Sequence, residues 1–433
     1  VIVTGNTGTV TGGVYSNGEL SAKVLNVNTN TATAITGRGG MYIGLNGKLG
    51  ISGKIVVKDN QNSVSGGVSN LYMLGDAPTV RVLGNLGGSE IGLAITTIGR
   101  FTEGYGSGGE GAGAYKNVAH AKTVFKPDSS TYFIEEEEID GVREGSLGCY
   151  NGSLNWSYAV KSSLADNGNP KTVYLHEDWT AQPNQTYGTA FGEDVGYSNG
   201  RLYVPAGASI ILDLRGRTVD RALEEMRTNG SVIYVAGTLR IIDSVGGGKI
   251  TGGFSNGTGG IYISNGGTLI LEGGTVTGNT STSTENAGGV NAAGSLIMSG
   301  GSIEENYSAG KGGGVYVEST GQLSISGDAK ITGNKSDGDK TSNIYLSSDS
   351  AKITLGGALT GGNQFGVTRD SLGPLTVGFG DYMPDANVED YFVCENPDYY
   401  LGEVGAGSSR EVTVLTDDNA LNWSYAVKMS LAQ

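Results

Sequence analysis

Between residues 237 and 356 the chain repeats a short apolar pattern at a spacing that restricts it to a solenoid. Leu269–Asn279 (LILEGGTVTGN), Leu296–Asn306 (LIMSGGSIEEN) and Leu323–Asn334 (LSISGDAKITGN) align, and their first leucines are evenly spaced. The series extends upstream through Leu239 and Ile210 and downstream through Ile353, at slightly longer intervals. A second motif falls between these segments: GGIYI ending at Ile263, GGV at Val290, GGGVYV ending at Val317 and NIYL ending at Leu346. A period in the upper twenties marks supersecondary units that bury their apolar faces only by stacking. Within each period the alternation is two, as at Leu269 and Leu271, so the segments read as strands. Each coil is expected to carry about three short strands, rising about 4.8 Å onto the next in a parallel sheet.

Composition agrees with that reading. The chain holds 76 Gly against 8 Pro. A missing three-residue period excludes collagen, and the apolar runs between glycines argue against a disordered linker. Glycine between β-formers supplies sharp corners, because it reaches positive φ without steric cost. Asn279, Asn306 and Asn334 recur at one corner. There asparagine is expected to take the left-handed conformation itself, with stacked amides bonding to one another. The fold class expected is all-β: a right-handed parallel β-helix solenoid.

A longer period lies over the short one. LNWSYAVKSSLA (Leu154–Ala165) and LNWSYAVKMSLA (Leu421–Ala432) are identical at eleven of twelve positions. GRGGMYIGLNGKLGISG (Gly37–Gly53) matches GKGGGVYVESTGQLSISG (Gly310–Gly327), and Ser69–Met73 matches Ser342–Leu346. Tyr132-Phe133 is paired with Tyr391-Phe392. The expected organisation is C-terminal coils of a first module at 1–95 and a cap or connecting segment at 96–165. A second module follows at 166–365, with an N-terminal cap at about 166–230. A further cap or connecting segment at 366–433 ends at the start of another repeat. The chain begins in the middle of a repeat, which reads as a segment of a longer polypeptide.

The opening of the second module, residues 170–221, carries two apolar runs flanking a polar loop. RALEEMR (Arg221–Arg227) reads there as one short helical turn or a loop. A cap is expected because an open solenoid end exposes unpaired strand edges. Leu154, Trp156, Tyr158 and Val160 alternate, as do Leu421, Trp423, Tyr425 and Val427. Each set is expected to form one face of a strand, buried against the adjoining cap or joining one module to the next. These eight residues are the candidate inter-module interface.

Formal net charge is -15, and an acidic surface repels phosphate backbones, so nucleic acid is not an expected partner. Cys149 and Cys394 form no disulfide framework and read as incidental. No apolar stretch is long enough to span a membrane. No signal peptide or sorting motif is present either.

Several stretches together carry a resemblance: YVPAGASIILDLRGRTVDR (Tyr203–Arg221), GGGKITGG (Gly246–Gly253), the GGIYI and GGGVYV motifs, and YFVCENPDYYLGEV (Tyr391–Val404). The sequence resembles the Gly-rich β-helix repeats of large surface proteins in Gram-positive anaerobic bacteria. Its GG-[IV]-Y and x-x-N pattern is also similar to repeats of polymorphic outer-membrane autotransporter adhesins. The resemblance implies an extracellular, surface-anchored or fibrous protein of the pectate-lyase-like fold. Its motifs are architectural and transfer no catalytic residue, and that fold hosts enzymes and adhesins alike.

Catalytic chemistry has few candidates. Asp213, Arg215, Arg217, Asp220 and Arg221 are the nearest to an Asp/Arg cluster, and they are expected to point outward at a solvated corner. Paired carboxylates for glycosidic cleavage do not recur, since Glu272, Ser299 and Ser326 occupy equivalent positions. His120 and His176 lack neighbours at metal-ligand spacing and read as surface or loop residues. Glu135–Glu138 reads as a solvated acidic face. Ser336–Asp339 lacks the calcium-binding nonapeptide repeat, so no cofactor is expected beyond weak association of Ca²⁺ with the acidic surface. A regular Thr-x-Thr array for ice binding is broken at Ser302–Glu304 and Lys330–Thr332. The expected function is therefore structural and non-catalytic: modules forming a cell-surface fibre, stalk or filament, with adhesive faces or tip. The expected partners are further copies end to end and host or matrix glycans. The rival expectation is a polysaccharide-active or carbohydrate-binding protein of the same fold.

Overall fold

The computed structural model describes residues 1–45, 47–74, 79–95, 98–106, 120–139, 142–150, 152–180, 197–198 and 201–416. The chain divides into two compact units, Val1–Asn155 and Trp156–Gln433. Each has its own hydrophobic core. Both are stacks of short parallel strands, a parallel β-solenoid of about 11 turns in all.

In the second unit the repeated leucines stand directly on one another. Ile210 pairs with Leu239, Leu239 with Leu269, Leu269 with Leu296, Leu296 with Leu323 and Leu323 with Ile353. The GG-[IV]-Y motifs form a second ladder, Ile261 on Val290 on Val315 on Ile344. Strands such as Ile261–Ile263 and Val315–Val317 bury their first and third residues and leave the tyrosine between them half-buried. Burying one such aliphatic side chain contributes about 1.5–3 kcal/mol, and each rung repeats the contribution on its neighbour.

Where the sequence pattern suggests about three strands per coil, the regular middle coils have four. The coil of Ile261–Ile263, Thr268–Leu271 and Thr275–Thr277 adds Thr280–Ser281, which belongs to a five-stranded ladder of two-residue strands. The extra strand follows the Asn corner and carries no aliphatic residue, so hydropathy does not mark it.

The Asn corner itself differs from expectation in one respect. The left-handed residue is the one before the asparagine: Gly278, Glu305 and Gly333 have φ of 65°, 56° and 67°. Asn279, Asn306 and Asn334 are then free to turn inward and are buried. The first unit repeats the device, with Gly5, Thr29 and Asp59 in the left-handed region ahead of Asn6, Asn30 and Asn60.

Both stacks end in the same architecture. After the last coil a short helical turn precedes one more parallel strand, Ala121–Val124 before Phe125–Pro127 and Val388–Tyr391 before Phe392–Cys394. Each unit adds a three-stranded antiparallel sheet, whose hairpin follows that strand and whose third, two-residue strand precedes the helical turn. The structural correspondence puts Phe125 against Phe392, the same step along the chain that separates Leu154 from Leu421, rather than Tyr132-Phe133 against Tyr391-Phe392. Tyr132 and Phe133 fall instead opposite Tyr399 and Tyr400, at the head of the antiparallel hairpin.

The largest correction concerns Leu154, Trp156, Tyr158 and Val160. They do not alternate along a strand, because Gly152–Ala165 is an α-helix. Among its described residues the buried ones are Trp156, Ala159, Val160 and Ser163, spaced i, i+3, i+4 and i+7. Two of those four are small, so the helical stripe is faint in hydropathy, whereas Leu-x-Trp-x-Tyr-x-Val imitates a strand. Arg221–Arg227 forms no helical turn and runs as irregular chain.

Candidate functional site

The groups that define this protein's chemistry lie where the coil stacks begin and end. At the start of the second unit, the helix from Trp156 onward covers the first coil. Trp156 packs against Trp179 at 6.3 Å between ring centroids and donates Nε1–H to the Tyr203 carbonyl at 3.3 Å. Ser163 Oγ accepts the Ser209 N–H at 2.9 Å. The Lys171–Tyr174 strand beneath already pairs in parallel with Ser209–Asp213, so regular coils begin inside the segment expected to be a cap. Within the second unit the helix itself covers that end. Leu421, Trp423, Tyr425 and Val427 lie outside the described residues, as does the side chain of Leu154.

At the other end, each buried asparagine ladder stops on a carboxylate. Asn279 donates Nδ2–H to Asn306 Oδ1, Asn306 to Asn334, and Asn334 to Asn343, each at 3.0 Å. Asn343 then donates its backbone N–H and its Nδ2–H to the two oxygens of Glu395, at 2.9 and 2.6 Å. In the first unit Asn6, Asn30, Asn60 and Asn70 make the same series, and Asn70 donates twice to Asp128 at 2.7 Å. An asparagine placed last would leave its own amide N–H groups without a further rung. A carboxylate only accepts, so the ladder closes with no orphaned donor.

Burial pushes the Glu395 carboxyl above the ordinary glutamate range, and the two Asn343 donors pull it part of the way back. Asp128 is raised for the same reason. A folded pKa above the unfolded value means that the folded unit holds the proton more tightly. This stabilising contribution is therefore fully present below an unfolded carboxylate pKa of about 4.3, and is lost as pH rises through the raised folded value. The denaturation midpoint of the second unit is expected to carry a falling component across that window, which Glu395→Gln removes. Tryptophan fluorescence reads it cleanly, since Trp156 and Trp179 belong to this unit and residues 1–155 contain no tryptophan. An identical pH profile for the variant would count against the assignment.

A second carboxylate ties each antiparallel sheet to its coils. Glu144 accepts the Thr102 hydroxyl at 2.6 Å and the N–H groups of Gly104 and Tyr105 at 2.7 and 3.2 Å. Thr102 Oγ1 in turn accepts the Gly145 N–H at 2.7 Å. Glu411 does the same with Thr376, Gly378 and Phe379 at 2.7, 2.7 and 3.2 Å, and Thr376 Oγ1 accepts the Val412 N–H at 2.8 Å. A guanidinium precedes each carboxylate and faces the aromatic ring: Arg143 over Tyr105 and Arg410 over Phe379. Burial pushes the Tyr105 phenol up to about 12. The signature is T-x-G-[FY]-G in Thr102–Gly106 and Thr376–Gly380, joined to Arg-Glu at 143–144 and 410–411. Its threonine and glutamate stand 42 residues apart in the first copy and 35 residues apart in the second. That mismatch hides the signature from a search at one fixed spacing.

The residues nearest to an Asp/Arg cluster are used by the backbone. Asp213 and Arg221 are buried, at 4% and 3% exposure, rather than pointing outward at a solvated corner. Asp213 accepts the N–H groups of Arg215 and Ser244, and Asp220 that of Ala222, so both hold tight turns. Arg215 stands 3.4 Å from His176 Nδ1, and burial together with Arg215 and Arg217 lowers that imidazole's pKa. His120 and the Ala121 N–H both meet Glu136, which makes this member of the acidic run part of the cap rather than a solvated face. Asp339 pairs with Lys335 at 3.3 Å. Among the described residues no three His, Cys, Asp or Glu side chains gather as a metal site would require. Cys149 and Cys394 are both free thiols. No described helix is long and apolar enough to cross a membrane.

No family model matches the sequence, and no curated protein or solved structure matches it either.

Proposed function

We propose that this chain is a structural module array, a length of extracellular surface fibre, stalk or filament without catalytic activity. The observation that carries this reading is the duplication of the closing chemistry. Two units in one chain each end their coils on an asparagine ladder stopped by a carboxylate, and each fasten a sheet over that end through a Thr-Gly-Glu cradle. An object copied together with its own cap can be extended by adding copies, since solenoid stability is a sum of neighbour terms. The near-identity of Leu154–Ala165 and Leu421–Ala432 adds support, because the first of them covers a coil end. The acidic, glycine-rich composition and the likeness to surface repeats of Gram-positive anaerobes support an extracellular setting. Further copies of the module are the partners this reading calls for.

Small-angle scattering of the chain tests the proposal. A compact particle of 433 residues would have a radius of gyration of about 22 Å. A fibre segment is expected to exceed that clearly and to show as rods in negative stain. A radius near the compact value would refute the reading.

A further inference from the structure

We propose that the outer face of the second unit carries a binding groove for a saccharide, centred on Tyr203, Tyr234 and Tyr262. These three tyrosines occupy one register position on successive coils. Their rings follow one another at 5.4 and 5.3 Å between centroids, half-buried and facing outward. Beside this shelf runs a ridge of turns at 228–231 and 255–258, and the space between has a volume of about 650 Å³. The inference does not depend on whether the units build a fibre.

The lining selects the ligand class. No aliphatic side chain contributes to it, which disfavours a lipid or a hydrophobic peptide. Apart from the tyrosines it offers amides and hydroxyls, including Thr228, Asn256, Thr258 and Asn286, which can donate and accept in any orientation. A polyhydroxylated ring has the matching properties, with hydroxyls around its edge and a C–H face to lay on an aromatic surface. Two charged groups frame the groove. Arg201, only 8% exposed, sits 4.7 Å over the Tyr234 ring, and Glu318 lies towards the Asn291 coil, which it meets through a 2.6 Å hydrogen bond. From the Tyr203 coil to the Asn291 coil the distance is roughly 14 Å at the usual strand spacing, enough for an oligosaccharide.

A second observation concerns a residue of the same groove. The hydroxyl of Ser231, a lining residue 2% exposed, has no hydrogen-bond partner in the structure. A buried hydroxyl left unpaired costs about 1–3 kcal/mol, which a hydrogen bond to a bound hydroxyl would offset once the side chain turns to the groove surface. The described part of the first unit corresponds to the second only from about Thr275 onward. It therefore has a tyrosine ladder, Tyr15, Tyr42 and Tyr72, but no counterpart of the Arg201–Tyr262 wall. Among the described residues this wall occurs once.

Titration calorimetry of the full chain against short defined oligosaccharides tests this. One arm uses neutral glucan, mannan and chitin fragments, and the other uses uronate-containing and sialylated fragments. The expected result is saturable binding in at least one arm with one site per chain. Binding confined to the second arm assigns the carboxylate to Arg201, and binding in the first assigns recognition to the hydroxyls. Tyr262→Ala is expected to weaken binding about tenfold, the scale of losing one aromatic contact. Asn256→Ala, at an exposed position that leaves folding untouched, is expected to weaken it too, while Tyr42→Ala in the first unit leaves it unchanged. Absence of binding in both arms overturns the proposal. So does binding that Tyr262→Ala and Asn256→Ala leave intact, or that Tyr42→Ala weakens equally.

Discussion

Replacing Asn306 by alanine is expected to lower the unfolding free energy of the second unit by roughly 3–5 kcal/mol, a large effect for a single polar side chain. The magnitude follows from the number of buried groups that one amide serves. Asn306 Nδ2 donates to Asn334 Oδ1, to the Val276 carbonyl and to the Glu304 carbonyl, at 2.9–3.0 Å. Its Oδ1 accepts both the backbone N–H and the Nδ2–H of Asn279, at 3.1 and 3.0 Å. Alanine removes all of these, so at least two groups are orphaned at about 1–3 kcal/mol each. Asn306→Asp is the informative companion. It keeps the shape but points a charged acceptor at Asn334 Oδ1, and is expected to destabilise at least as much. At the end of the ladder the preference reverses, because Glu395 faces only donors. Urea titrations followed by tryptophan fluorescence measure each variant. A loss below about 1 kcal/mol for Asn306→Ala would mean that the ladder is decorative rather than structural.

Replacing Glu144 by alanine is expected to release the C-terminal sheet of the first unit before its coils unfold, at a cost of about 3–4 kcal/mol. Three hydrogen bonds to a buried acceptor are lost, two of them from the Gly104 and Tyr105 N–H groups. Thr102 also loses the partner that orients its hydroxyl towards accepting from Gly145. Glu144→Gln is expected to cost less, because one oxygen remains, but either amide orientation turns an N–H₂ group towards a donor. Hydrogen exchange followed by mass spectrometry distinguishes local from global loss. Faster exchange is expected in peptides covering 98–106 and 142–150, with the coil peptides around Met41 and Leu71 unchanged. Uniform acceleration throughout the first unit would show instead that cap and coils unfold together.

The two predictions rest on residues of different visibility. Asn306 stands out in the sequence because the corner recurs with the coil, and stacked amides follow from that recurrence. Glu144 does not stand out. It is 42 residues from the threonine it holds, and its counterpart Glu411 belongs to a copy in which that separation is shorter. Asp128 and Glu395 are equally hidden, since a ladder of asparagines ends on them across 58 and 52 residues of intervening chain. Trp156 is a third kind of case. Its burial in a cap is open to inference, but Leu154, Trp156, Tyr158 and Val160 satisfy a period of two while Trp156, Ala159, Val160 and Ser163 satisfy the helical one. Small residues carry little weight in a hydropathy pattern, and only packing against Trp179 and Tyr203 separates the two readings.

The sequence by itself determined the solenoid, the register of its rungs and the copying of a whole module. These properties are periodic, so each coil states its neighbour's environment and the pattern is legible without knowing any distant contact. The tertiary structure alone decided how the stacks are closed and which outer face is concave. Closure depends on single carboxylates meeting donors brought together from far along the chain, and a groove depends on turns that no local pattern specifies. The ends of a periodic object are where its period stops, and there the sequence no longer predicts its own neighbours.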